Sequence, residues 1–373
     1  MIPLFSHTPI PPFLPRRLTS WAVPKAFYGF VAVMTAIFLS GSGCRTTTSR
    51  GLPGFRNTTP YFVYYGNWTP VEIMQAGHYK LVIIHPKTNI RRAIVRVLQA
   101  QGVMVFGYLS VGEDDTYHKS EATGGEAGTD GKSANWYYYD ERNRLIKNPD
   151  LYSGSYYVNP SNPDWRRALR KYRNRSKEGW FGYEYIMNVL GCDGLFLDTI
   201  DTAGPRSWNP DYDPDNDIIR STDRYFGENE AMAKLVSDIK SDIGRRKHIM
   251  LNRGLFYYAD DQPYYSVRAT ARLRSTASAV MYESYIRESS DQRTYWEGKL
   301  AHHSHLPDGF SVVTLDYDPG KTDEICRRTL LDRSFTPYVT GDQSLNTAAE
   351  SHVKDWIRER TKSGRPPRVR PNP

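Results

Sequence analysis

The sequence predicts an α/β protein built as a single-domain (β/α)8 TIM barrel, and three features of the 373-residue chain carry that expectation. Eight short apolar runs recur along it, stretches with helical apolar spacing separate them, and several runs end on a polar or acidic residue. Near-continuous apolar strands, each followed by a helix, belong to a parallel sheet covered on its outer face, and eight such units close into a barrel. A hydrophobic fraction of 39% supplies the core for one large domain. No period of about twenty to fifty residues marks a solenoid.

Taken in order, residues 1–44 have the layout of an export signal: the basic pair Arg16-Arg17, an apolar run from Ala26 to Leu39, then GSG leading into Cys44. The run is shorter than the about twenty residues that span a bilayer. Small residues before Cys44 match a bacterial lipoprotein signal, in which that cysteine is lipidated and becomes the mature N-terminus. Gly41 stands where the pattern prefers leucine, and plain secretion or a retained anchor are the alternatives. The expected location is the bacterial cell envelope, lipid-anchored, or secreted. Residues 45–58 are polar and Gly-rich, as suits a linker.

The barrel is expected over residues 59–345. Its strand runs are YFVYYG (61–66), KLVIIHP (80–86), VMVFGYLSVGE (103–113), DGLFLDTID (193–201), HIMLNRG (248–254), SAVMYESY (278–285), GFSVVTLDYD (309–318) and SFTPYVTGD (334–342). Helical spacing falls between them, for example over 89–101, 164–172, 228–243, 292–302 and 322–331. Asp164 after Pro163 marks an acidic first turn. Two connections are long: 114–135, rich in Gly, Ser, Thr and Glu, and 202–227, which contains NPDYDPDND. Both follow strand C-termini, where barrel enzymes place their sites. Residues 346–373 read as a C-terminal helix and a basic, Pro-rich tail that cannot pack a core.

The net charge of +8 is terminal. Residues 1–44 contribute +3 and residues 354–373 contribute +5, so the body between them is formally neutral. It has no surplus of cations for a phosphate backbone, and nucleic acid is not an expected partner. Three cysteines exclude a disulfide framework, and Cys192 and Cys326 read as buried free thiols. GxSxG, Walker and GxGxxG motifs are all missing, which removes serine-hydrolase, nucleotide and dinucleotide chemistry and any expected cofactor. Asp211, Asp213 and Asp215 have EF-hand spacing, but Asn216 and Thr222 stand where the loop needs glycine and glutamate. His302, His303 and His305 end a surface helix and read as a solvated cluster rather than a metal site. No metal is expected.

A barrel strand buries no charge without a reason, so acids at strand ends are informative. Asp198 directly follows GLFL, where burial is costly unless the group is paired, bonded or functional. Glu283 holds the matching place in VMYESY, where a raised pKa would make it a proton donor. Its alternative is a salt bridge to Arg253. Asp193 lies at the opposite end of the Asp198 strand and reads as structural. Asp201 is divided between sugar contact and capping, and Glu113 between sugar contact and turn stabilisation. Asn252, Arg253, Asp316 and Asp318 also fall at strand ends. Of the aromatics there, Tyr64, Tyr65, Trp68, Tyr108, Tyr282 and Tyr285, core packing accounts for about half, and the others suit stacking on a sugar ring.

The order YFVYYG, GYLSVGE, NPSNPDWRRAL, GCDGLFLDTID, LNRG and MYESY resembles the glycoside hydrolase family 114 superfamily, the endo-α-1,4-polygalactosaminidase-like barrels, over roughly residues 60–340. The resemblance implies Asp198 and Glu283 as the catalytic carboxylate pair, acting on an amino-sugar polymer. Asp201, Glu113, Asn252, Arg253, Tyr65, Tyr108 and Tyr282 are the expected substrate contacts. LNRG and the Ser284 after Glu283 depart from the pattern of polygalactosaminidases proper, a difference that bears on the substrate. The expected protein is a monomer whose partner is a polysaccharide and whose membrane contact is the lipid on Cys44. The competing expectations are a non-catalytic exopolysaccharide-binding barrel and a hydrolase of another polysaccharide.

Overall fold

The computed structural model describes residues 52, 60–115, 135–138, 155–170, 182–204, 212–213, 218–219, 222–346 and 352–362. The export signal with Cys44, the linker apart from Leu52, most of the first long connection, half of the second and the basic tail lie outside them.

Eight strands pair in parallel in chain order: β1 (Tyr61–Tyr64), β2 (Leu81–Ile84), β3 (Met104–Ser110), β4 (Gly194–Asp198), β5 (His248–Asn252), β6 (Ala279–Glu283), β7 (Ser311–Asp316) and β8 (Thr336–Val339). Tyr61 and Phe62 of β1 meet Tyr338 of β8, with ring centroids 5.5 and 6.3 Å apart, which brings the sheet round on itself. The (β/α)8 barrel expected from the apolar runs is the observed fold. YFVY, LVII and TPYV are buried along their whole length because one face meets the barrel interior and the other the helices.

Register fixes which side chains face inward. Ser110 stands beside Asp198, Met281 beside Asn252, and Glu283 beside Leu315. With a period of two, Phe196 and Asp198, His248 and Asn252, Met281 and Glu283, and Leu315 and Tyr317 share the interior face. Low in the barrel the rings of Phe106 and His248 stack at 6.2 Å. Gly194 makes room for them: a Cβ there would lie 2.7 Å from the His248 carbonyl and 2.8 Å from the Phe106 ring. At the foot of β4, Asp193 accepts bonds from the Val105 amide and Gln99 Nε2, both at 3.0 Å, and so ties β3 and the preceding helix to its strand.

The helices are α1 (Pro70–Ala76), α2 (Arg92–Ala100), α3 (Pro163–Arg170), α4 (Thr222–Ile243), α5 (Val267–Thr276), α6 (Ser290–Ser304), α7 (Thr322–Cys326) and α8 (His352–Lys362). α1 begins with a capping box of Thr69 and Glu72. Ser266 and Ser289 cap α5 and α6. α4 starts earlier than its apolar spacing indicates. The pattern over 322–331 divides into α7 and a wider π turn, Arg327–Arg333, and a second π turn, Tyr185–Leu190, leads into β4.

Cys192 and Cys326 are both buried and free. One histidine departs from expectation. His303 is 3% exposed, its ring packed on Tyr258 at 5.2 Å, and burial pushes its pKa down to about 4. It belongs to the core, not to a solvated cluster, because α6 turns that position toward the barrel.

Candidate active site

Three strands end in the same way. Asp198 closes β4, Asn252 closes β5 and Glu283 closes β6, and each is followed by a residue in the left-handed conformation: Thr199 (φ 61°), Arg253 (φ 56°) and Ser284 (φ 57°). Each then leads into a 3-10 turn: Ile200–Ala203, Leu255–Tyr258 and Tyr285–Arg287. Non-glycine residues occupy that region at a cost, so its repetition at three neighbouring strand ends marks a place where the backbone is held to a purpose.

What it holds is a pair of carboxyl groups joined by one amide. Asn252 Nδ2 donates to Asp198 Oδ1 at 2.8 Å and to Glu283 Oε2 at 2.6 Å. Those two oxygens are therefore no farther apart than the two bonds laid end to end. The amide cannot turn over, since its carbonyl would then face two carboxyl groups. Asp198 also accepts from the Tyr108 hydroxyl at 2.8 Å and the Thr199 amide at 2.8 Å. Glu283 Oε1 accepts from the Tyr317 hydroxyl at 2.5 Å. Burial, and after it the charge of Asp198, raise the pKa of Glu283, while the bonds from Asn252 and Tyr317 and the nearby Arg253 oppose the rise.

Around the pair the expected residues divide. Tyr65 and Tyr108 line the mouth with His85: Tyr65 meets both rings edge-on, at 5.5 Å to Tyr108 and 5.4 Å to His85, and His85 stacks on Tyr108 at 5.0 Å. Arg253 does not pair with the Glu283 carboxyl. Its NH1 donates to the Glu283 main-chain carbonyl at 3.1 Å, and its guanidinium reaches Asp201 and Glu288, each at 3.4 Å. Asp201 is thus an ion-pair partner at the rim. Glu113 opens the first strand of a short antiparallel pair, Glu113–Asp115 with Ser155–Tyr157, is 7% exposed, and sits close enough for its charge to act on Tyr108.

Tyr282 is not brought to the site. It is 0% exposed and points to the opposite face of β6 from Glu283, edge-on to Tyr285 at 5.3 Å. The expected sugar contact there is corrected to core packing, because adjacent residues of a strand face opposite ways. Tyr64, Trp68 and Tyr285 are likewise buried. Lipidation of Cys44 lies outside the described residues.

Three contributors were missed in the sequence. Tyr317 stands between the noticed Asp316 and Asp318, and only register shows that it shares the face of Glu283. His85 ends the second apolar run. Thr199 Oγ1 accepts from the Gly112 amide at 2.8 Å and the Val111 amide at 3.2 Å, and donates to the Asp198 carbonyl at 2.6 Å, so it locks the β3 loop to the β4 end. A residue following an acid in DTxD carries no signal for that role. Among the described residues, no three His, Cys, Asp or Glu side chains are grouped to hold a metal ion.

The barrel has the fold of a glycoside hydrolase domain. The glycoside hydrolase domain of PelA from Pseudomonas aeruginosa matches it with a TM-score of 0.53 at 20% identity, over 78% of this chain and 97% of that one. A single-residue variant of the same domain gives 0.52 at 19% identity, over 78% and 97%. No family model and no curated protein matches the chain.

Proposed function

We propose that the protein is a glycoside hydrolase that cleaves an amino-sugar-containing polysaccharide, with Asp198 as nucleophile and Glu283 as general acid and then base. One observation carries the reading: two carboxyl groups from different strands, at the mouth of a barrel, share a single amide nitrogen at 2.8 and 2.6 Å. Retaining glycosidases hold their carboxyl groups about 5 to 5.5 Å apart and inverting ones about 6.5 to 9.5 Å. A shared donor favours the shorter class. Asp198, fixed by three donors, attacks the anomeric carbon, while Glu283 protonates the departing glycosidic oxygen. Glu283 then takes a proton from the water that releases the sugar from Asp198. The raised pKa of Glu283 keeps the acid form available toward neutral pH.

The substrate class rests on charge and resemblance. Asp198, Asp201, Glu113, Glu283 and Glu288 surround the mouth against Arg253, an acidic surplus that suits a cationic, deacetylated amino sugar. The ordered motifs resemble polygalactosaminidase-like barrels, and the fold is that of the PelA glycoside hydrolase domain. Tyr65, Tyr108 and His85 offer rings for stacking. Lipidation of Cys44 would hold the monomeric enzyme at the cell envelope.

The full-length protein is incubated with deacetylated polygalactosamine and with a neutral glucan, alongside Asp198→Asn and Glu283→Gln. Cleavage of the cationic polymer is expected from the wild type and a loss of at least about a thousandfold in each variant. Undiminished cleavage by either variant removes the mechanism, and faster cleavage of the glucan removes the substrate assignment.

A further inference from the structure

The two oxygens of Glu283 differ in what faces them. Oε2 meets Asn252 Nδ2, a donor held in place because the same nitrogen serves Asp198. Oε1 meets the Tyr317 hydroxyl, which can donate or accept by rotating about its C–O bond. The hydroxyl oxygen of a carboxylic acid accepts a hydrogen bond less well than its carbonyl oxygen does. The fixed amide therefore selects Oε2 as the carbonyl and leaves the acidic proton to Oε1.

We propose that Tyr317 is the positioning residue that holds the acid proton of Glu283 on Oε1, reversing from donor to acceptor as the glutamate gains and loses it. This rests on Glu283 being the acid. In the resting acid, Oε1–H donates to the Tyr317 oxygen. As the glycosidic bond breaks, the proton passes from Oε1 to the departing oxygen and Asp198 bonds to the anomeric carbon. The Tyr317 hydroxyl then turns to donate to the new carboxylate. In the second half a water proton returns to Oε1, the water oxygen takes the anomeric carbon, Asp198 is released and Tyr317 turns back.

The surroundings agree. Glu283 is faced by Asp198 from β4, Asn252 and Arg253 from β5, Tyr61 and Tyr65 from β1, and Tyr317 from the end of β7. Asn252 turns its donor Nδ2 to Glu283, Arg253 can only donate, and Tyr61 spends its hydroxyl on the Thr314 carbonyl at 2.7 Å. Tyr317 keeps its own proton, because burial and then the charge of Glu283 raise the phenol. Arg287 lies 5.9 Å from the Tyr317 ring centre and steadies the ring.

Tyr317→Phe keeps the ring and removes the hydroxyl. The Glu283 carboxyl is titrated by carbon-13 NMR in the full-length protein without substrate, in wild type and variant. Loss of a donor to the charged form should raise its midpoint by about one pH unit, a tenfold change in proton affinity. On deacetylated polygalactosamine the alkaline limb of kcat/KM should move up by the same amount, while kcat falls roughly tenfold or more. An unmoved NMR midpoint, or a uniform loss of rate with the limb in place, overturns the proposal and leaves Tyr317 a packing residue. Glu283→Gln separates this from the underlying reading: if that variant cleaves the polymer as the wild type does, Glu283 is not the acid, whatever Tyr317→Phe shows.

Discussion

Asp316 shows how differently two neighbouring side chains are treated. Tyr317 turns into the barrel, while Asp316 turns out and is 0% exposed, with Oδ1 accepting from the Ile286 amide at 2.7 Å and Oδ2 buried without a partner among the described residues. Burial, opposed by that bond and by Arg293, pushes its pKa from 3.8 up to about 7. A folded value above the unfolded one means that the group's stabilisation is complete below about 4. It declines as pH rises and is lost through about 7. The melting temperature of Asp316→Asn relative to the wild type should therefore be higher at pH 8 than at pH 5. Equal differences at the two pH values would refute the assignment. Asp198 and Glu283 were legible in the sequence because an acid that ends an apolar run is conspicuous. Tyr317 was not, because a tyrosine between two aspartates has no preferred direction until the strand is placed.

The recurring element is a strand, a polar terminal residue, a left-handed residue and a 3-10 turn. Its first bonds are non-local: the Arg253 amide donates to the Met281 carbonyl and the Ser284 amide to the Leu315 carbonyl, both at 2.8 Å. The second and third turns are thus anchored to the next strand, while the Thr199 amide bonds the Asp198 carboxylate, and the side chain before each turn is aimed into the mouth. Ser284 tests the backbone alone, since no side-chain hydrogen bond from it is described. Ser284→Gly should leave stability unchanged or raise it by up to about 1 kcal/mol, and Ser284→Val should cost about 1 to 2 kcal/mol. Urea midpoints measure both, and a valine variant as stable as the glycine variant would refute the strain. Threonine, arginine and serine gave no hint of a left-handed residue in the sequence, where glycine would have.

At the scale of the molecule, the barrel is held across its interior as well as around its wall. The Tyr61 hydroxyl on β1 reaches the Thr314 carbonyl on β7, and Tyr338 of β8 packs on the same ring. Tyr61→Phe keeps the packing and removes that hydrogen bond. It should lower stability by about 1 to 2 kcal/mol with an unchanged denaturant slope. A variant with the wild-type midpoint would mean that the bond does not contribute. The same closure buries Glu297 beneath Arg328, Arg333 and the Tyr285 hydroxyl, a network that clamps the turn after Glu283 from outside the barrel.

The sequence by itself determined the barrel, its eight strands and the strand ends at which acids gather. Those features follow from local patterning: apolar runs, their spacing and the cost of a charge beside them. Only the tertiary structure decided which alternate residues face the mouth. It sent Tyr282 and Asp316 outward and Tyr317 inward, turned His303 into the core, and set one amide between Asp198 and Glu283. Strand alternation specifies two faces without naming the inner one. That choice belongs to register and closure, which are set by pairings between residues far apart in the chain.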